Sequence, residues 1–180
     1  MRRVIEGRVW VLGDDVDTDQ IISGKYLTTI DPELLKRHVL EIALPEFAAQ
    51  ARPGDVLVAG VNFGSGSSRE HAPQALRAIG VAAIVADSFA RIFYRNAINL
   101  GVPAIEARGV RAIFQAGETA RIDLTDGTIT NVTQGRTLRF PPIPPHLLEL
   151  LEAGGLVEKV RRELAREARL PSGTVREPGR

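Results

Sequence analysis

The chain has 180 residues and no cysteine. Disulfides, cysteine-ligated zinc and cysteine-ligated iron–sulfur clusters are therefore excluded within it. The same absence fits a reducing cytoplasm. Long apolar runs are missing too. No stretch approaches the about 18 consecutive apolar residues of a membrane span, and Met1-Arg2-Arg3-Val4 opens without the apolar segment of a secretory signal. The expectation is a cytoplasmic protein with no membrane partner. Net charge is almost nil: 23 Lys and Arg stand against 22 Asp and Glu, a formal +1. That is not the cationic excess of a nucleic-acid binder, so no nucleic-acid partner is expected. Lysine is scarce, with Lys25, Lys36 and Lys159 beside 20 arginines. Arginine's fork suits carboxylates, but genomic base composition or thermal adaptation is the better account of the bias. With 44% hydrophobic and 25% charged residues, the chain is neither disordered nor fibrous and can build the core of one domain.

What is present reads as a mixed α/β pattern. Arg8–Gly13 has the composition of a first strand, followed by an acidic, turn-rich loop over Gly13–Gln20. Asp31-Pro32-Glu33 opens a helix, with Asp31 as cap and Pro32 in the first turn. Between 55 and 106 the apolar runs Val56–Gly60, Val81–Ala86 and Val102–Glu106 alternate with helical stretches Arg69–Ile79 and Phe89–Leu100, stopped by Gly80 and Gly101. Strand–helix–strand–helix–strand with short connections predicts parallel strands. The pattern then changes: Thr119–Leu124 and Thr128–Val132 flank Asp126-Gly127, a hairpin signal. Arg139–Pro145 is extended and proline-rich, His146–Glu152 and Leu156–Ala168 are helical, and Pro171–Arg180 is a polar tail. The expected fold class is α/β: one domain over 1–170 with a mixed, partly parallel core sheet, a β-hairpin and C-terminal helices.

Three segments carry chemistry. Asn62-Phe63-Gly64-Ser65-Gly66-Ser67-Ser68-Arg69-Glu70-His71 joins a buried strand to a helix, where free amides and the positive end of a helix dipole attract anions. Gly64 and Gly66 allow close backbone approach and with Ser65 form an oxyanion-type loop, Ser67 and Ser68 supply hydroxyls, and Arg69 adds a fork suited to a carboxylate. The segment matches neither a P-loop nor a dinucleotide turn. A purely architectural reading competes with the anion-binding one: Ser67 and Glu70 have the spacing of a capping box. The second segment, Asp15-Val16-Asp17-Thr18-Asp19-Gln20, groups carboxylates without the pattern of a calcium loop, and matters only if it folds against the serine turn. In the third, Ser88–Asn96, Arg91 and Arg95 share a helix face, and the first turn could face the same crevice as Ser67. His38, His71 and His146 lack metal-ligand spacing, and no metal site is expected.

Taken together, Asp17-Thr18-Asp19-Gln20-Ile21-Ile22, Gly24-Lys25-Tyr26-Leu27, Gly64–Ala72 and Asp87–Phe93 resemble the small subunits of 3-isopropylmalate dehydratases, the swivelling β/β/α domain of the aconitase superfamily. The resemblance runs in order from about residue 8 to about residue 155. It implies a hydro-lyase of leucine biosynthesis, active only with a large subunit that carries a [4Fe–4S] cluster, acting on a small dicarboxylate. No cofactor would sit in this chain, in keeping with its lack of cysteine. Ser67 aligns with the family's catalytic base, Ser68 with a neighbouring hydrogen-bonding serine, Arg69 with the arginine that clamps a substrate carboxylate, and Asp19 with an acid that orients a catalytic partner. In the specificity loop after Tyr26-Leu27, relatives acting on homoaconitate carry an arginine and isopropylmalate enzymes an apolar residue. Here Thr28 carries no charge. Homoaconitate or citramalate chemistry on the same scaffold, and a non-catalytic anion-binding module, are the alternatives.

Overall fold

A computed structural model describes residues 3–29 and 31–168; the tail from Pro171 to Arg180 and the limit placed at residue 170 lie outside the described residues. Seven strands form one mixed sheet in the order β4-β3-β2-β1-β5-β6-β7. They are β1 (Val4–Val11), β2 (Val56–Ala59), β3 (Ala83–Ala86), β4 (Ala104–Glu106), β5 (Thr119–Asp123), β6 (Thr128–Asn131) and β7 (Arg136–Arg139). β1 is the seam. Its second half pairs in parallel with β2, from Val9 opposite Val56 to Val11 opposite Val58, and its first half pairs antiparallel with β5, from Val4 opposite Asp123 to Arg8 opposite Thr119. One side of the seam is therefore a parallel α/β half and the other an antiparallel meander.

The parallel half follows the expected alternation. β2 and β3 are buried at every position, as central strands covered on both faces must be, which is why they read as continuous apolar runs. The helix α4 (His71–Ile79) leads from β2 to β3, and α5 (Arg91–Asn99) from β3 to β4. Before them come α1 (Thr18–Ile21), α2 (Pro32–His38) and α3 (Phe47–Gln50). Asp31 caps α2 by accepting from the Glu33 amide, and Pro32 opens the first turn, as expected. After the sheet, α6 (Pro145–Ala153) ends at Gly154 with φ +90°, and α7 (Leu156–Glu167) follows. No described helix is long and apolar enough to cross a membrane.

Four features depart from the sequence reading. β1 starts at Val4, four residues earlier than expected, because Val4–Arg8 are recruited by β5 across the seam. Thr18–Ile21, read as loop, is a turn of helix closed by a capping box between Asp17 and Gln20. Arg136–Arg139 adds a third strand to the hairpin. It is largely exposed and lies at the sheet edge, where polar residues and the prolines that follow are tolerated. Finally, the helix expected from Arg69 starts at His71; its cap position is Glu70, with no side-chain cap.

Asp55, at the entry to β2, ties that strand to β1. One carboxylate oxygen accepts from the Trp10 indole N–H at 2.7 Å, from Arg8 Nη2 at 2.8 Å and from the Arg52 amide at 3.0 Å. Burial pushes this carboxyl up, but the hydrogen bonds from Arg8, Trp10 and Arg52 together hold it below its ordinary value. Asp55→Ala strands the Trp10 and Arg52 donors in a buried setting, so urea titration at pH 7 should show a loss of about 2–4 kcal/mol. A depressed folded-state pKa gives stability that is complete above the unfolded-chain value, about 4 for aspartate, and lost as pH falls through the lower folded value. The gap between wild type and Asp55→Ala is thus expected to narrow in acid; a gap that widens would contradict the assignment.

Candidate active site

The site lies beyond the carboxyl ends of β1, β2 and β3, the usual place for a ligand crevice in a parallel sheet. The three loops there are joined by continued backbone pairing. The Leu12 amide donates to Val58 O, Gly60 to Gly13 O, Asp15 to Val61 O, Gly64 to Val16 O and Thr18 to Ser65 O, all between 2.8 and 3.0 Å. On the other flank, Phe63 donates to Ser88 O and Ala90 to Phe63 O, at 3.0 and 2.9 Å. Parallel bridges form between Asp17 and Ser65 and between Phe63 and Phe89. The acidic segment therefore does fold against the serine turn.

Its carboxylates are spent on that framework. Asp14 Oδ1 accepts from the Val61 amide, and Asp15 Oδ1 accepts from Asn62 Nδ2 at 2.8 Å. Asn62 itself adopts a left-handed φ of +59° and donates its amide to Ser88 Oγ. Asp17 caps α1. No group of three or more His, Cys, Asp or Glu among the described residues has metal-holding geometry.

Ser67 and Ser68 are exposed, and the capping box read into Ser67 and Glu70 does not form. Instead Ser67 is presented by its backbone: Thr18 Oγ1 donates to Ser67 O at 3.0 Å. Arg69 Nη1 donates to Asp19 Oδ1, and the Arg69 side chain is only 16% exposed. Asp19 thus fixes the direction of the guanidinium. The Gly24–Tyr26 turn flanks this pair; a side chain at Gly24 would reach to 3.5 Å of Asp19 Oδ1. The turn is anchored in its own right. Glu41 accepts from His38 Nδ1 at 2.9 Å and Tyr26 Oη at 3.3 Å and pairs with Lys25 at 3.0 Å, while Tyr26 stacks on His38. Burial raises the Glu41 carboxyl, yet Lys25 and His38 hold it below its ordinary range.

Ser67, Ser68, Arg69, Gly64 and Gly66 line a cleft of about 220 Å³ with Thr18 and with Ala90–Phe93 and Asn96 of the third segment. The first turn of α5 therefore does face Ser67, and it is this turn, not the N-terminus of α4, that borders the cleft. Ser65 is partly buried in the Asp17 bridge. Thr28 is exposed and lies outside the cleft wall. Thr18 and Asn62 carry no local signal of their roles in the sequence, because Thr18 acts through Ser67, 49 positions on, and Asn62 through Asp15 and Ser88, 47 positions back and 26 on.

A family model for the aconitase C-terminal domain matches residues 25–108, a span that holds the serine turn and α5. The chain is 57% identical over 163 residues to the 3-isopropylmalate dehydratase small subunit 1 of Methanopyrus kandleri, covering 91% of this chain and 96% of that one. It is 55% identical over 157 residues to the methanogen homoaconitase small subunit of Methanothermobacter thermautotrophicus, covering 87% and 91%. Among solved structures, the 3-isopropylmalate dehydratase of Methanocaldococcus jannaschii superposes with a TM-score of 0.85 at 42% identity, covering 92% of this chain and 98% of that one. The chain belongs to the family of 3-isopropylmalate dehydratase small subunits.

Gly64 is the steric hinge of the site. Its φ is +79°, and a Cβ there would lie 2.2 Å from Phe93 Cγ. Gly64→Ala is expected to lower the melting free energy by about 2 kcal/mol or more and to displace the serine turn. A Gly64→Ala protein that melts with the wild type would show that the turn does not need this approach.

Proposed function

We propose that this chain is the closing half of a two-subunit 3-isopropylmalate dehydratase, interconverting 2- and 3-isopropylmalate by loss and re-addition of water. The observation that carries the reading is the meeting, in one cleft, of the Ser67-Ser68-Arg69 turn with the first turn of α5, Arg69 being held by Asp19 at its edge. Ser67 acts as base: its oxygen, deprotonated, takes the proton from the carbon α to a carboxylate. A serine hydroxyl is a very weak acid and needs strong local help. Free amides and a guanidinium beside it are groups that stabilise an oxyanion. Arg69, aimed by Asp19, holds a substrate carboxylate, and Ser68 hydrogen-bonds beside it.

The [4Fe–4S] cluster implied by the family does not fit this chain, which has no cysteine to hold it; it belongs to a large partner subunit, where it would supply the Lewis acid for the departing hydroxyl. The relative named as a homoaconitase subunit is nearly as similar as the first, so identity alone does not choose the substrate. Ile92, 43% exposed, puts an aliphatic side chain into the cleft, which supports a substrate with an aliphatic branch; Thr28, outside the cleft wall, adds no charge on the neighbouring loop.

With a cluster-loaded large subunit, absorbance of the unsaturated intermediate should report turnover of isopropylmalate in preference to homoaconitate and citramalate. Ser67→Ala should lower kcat by about 10²–10⁴-fold while the subunits still co-purify. Wild-type rates in Ser67→Ala would remove Ser67 from the mechanism.

A further inference from the structure

Arg91 is the first residue of α5, and its exposed side chain borders the same cleft as Ser67 and Arg69. Two observations set it apart from an ordinary surface arginine. No carboxylate is ion-paired with it among the described residues, whereas Arg69 is paired with Asp19. Its helix also starts without a side-chain cap, and the amides of Arg91, Ile92 and Phe93 take no hydrogen bond among the described residues. Glu106, which lines the neighbouring cleft together with Arg91, accepts from the Phe89 amide at 3.2 Å. Arg91, Ile92 and Phe93, with an unpaired guanidinium and three amides that donate to no described acceptor, thus line the same cleft as Arg69, which is already engaged by its own carboxylate.

A small dicarboxylate brings two negative charges. Arg69 offers a fork to one of them, and its charge is already offset by Asp19. We propose that Arg91, with the amides of its own helix turn, clamps the second carboxylate of the substrate, making it a binding residue of the site. The assignment rests on the dicarboxylate reading above but not on Ser67 being the base. Arg95, one turn further on the same helix, lies outside the cleft wall and serves as the control.

The test uses the holoenzyme, reconstituted with its large subunit. Calorimetry would follow the binding of isopropylsuccinate, which has both carboxylates, and of 2-hydroxy-4-methylpentanoate, which has one. Arg91→Ala is expected to weaken isopropylsuccinate by about tenfold or more and the monocarboxylate by less than twofold. Arg91→Lys should recover part of the loss, and KM for isopropylmalate should rise more than kcat falls. Arg95→Ala should bind both ligands as wild type does. Ser67→Ala should retain isopropylsuccinate binding, which separates this clamp from the base. Should Arg91→Ala fail to assemble, Arg91→Gln carries the same comparison. Unchanged isopropylsuccinate binding, equal losses for the two ligands, or an equal loss in Arg95→Ala would each overturn the clamp.

Discussion

Everything at the site depends on the parallel sheet not ending where its strands end. Past Val11 and Ala59 the backbones of β1 and β2 keep exchanging hydrogen bonds until Thr18 meets Ser65, and past Ala86 the β3 loop does the same with Phe63. Loops normally carry the mobility of a fold. Here a backbone ladder confines them, so the serine turn inherits the rigidity of the core. Substrate-positioning groups must be held to within a fraction of an ångström to be useful, and exposed serines on a free loop would not be. Asn62 shows how local the constraint is: its left-handed backbone lets one residue bond to Asp15 on one side and Ser88 on the other.

Electrostatics builds on that frame. The cleft has two guanidiniums in different states. Arg69 is mostly buried and paired with Asp19, while Arg91 is exposed at the head of α5 and pairs with no described carboxylate. Asp19 has half its side chain in water, so its pairing with Arg69 is worth little as stability. Its value is directional: a bidentate fork selects a carboxylate only if it is aimed. The anchored Gly24–Tyr26 turn closes one side of that pair and keeps the chain that leads to Thr28 in register with it.

Much of this was legible in the residues, and the limits are physical. Buried parallel strands announce themselves as apolar runs, and Asp31-Pro32 and Asp126-Gly127 are local signals that need no tertiary context; all of these appeared where expected. Elements that exist because of a distant partner did not. Val4–Gly7 become strand only when β5 lies beside them, and Arg136–Arg139 only when β6 does. The serine turn reads as a place for an anion, and the order of strands and helices already sets the first turn of α5 toward the same crevice, where it lies; sequence adjacency points equally to α4, whose first residues stay out of the cleft wall. A capping box at Ser67 and Glu70 was equally consistent with spacing, and geometry decided against it. Asp17 and Gln20 form one instead, 50 residues earlier.

The cleft's size argues for the division of labour between subunits. At about 220 Å³ it is smaller than an ordinary small-molecule pocket of about 300–1,000 Å³, and Ser67 and Ser68 stand open to water. A serine oxygen asked to strip a carbon acid gains from amides and guanidiniums chiefly where water is excluded, because the same groups act far more weakly at high dielectric. The chain thus holds well-positioned donors in a setting where they are screened. On the proposed reading, a second surface laid over the Ser67 turn and the head of α5 encloses the substrate, lowers the dielectric and supplies the Lewis acid for which this cysteine-free chain has no ligands. An open half-site is what such a subunit should look like by itself. On the proposed assignment it keeps Ser67, the Arg69 fork and the head of α5 in register, and leaves the leaving group to its partner.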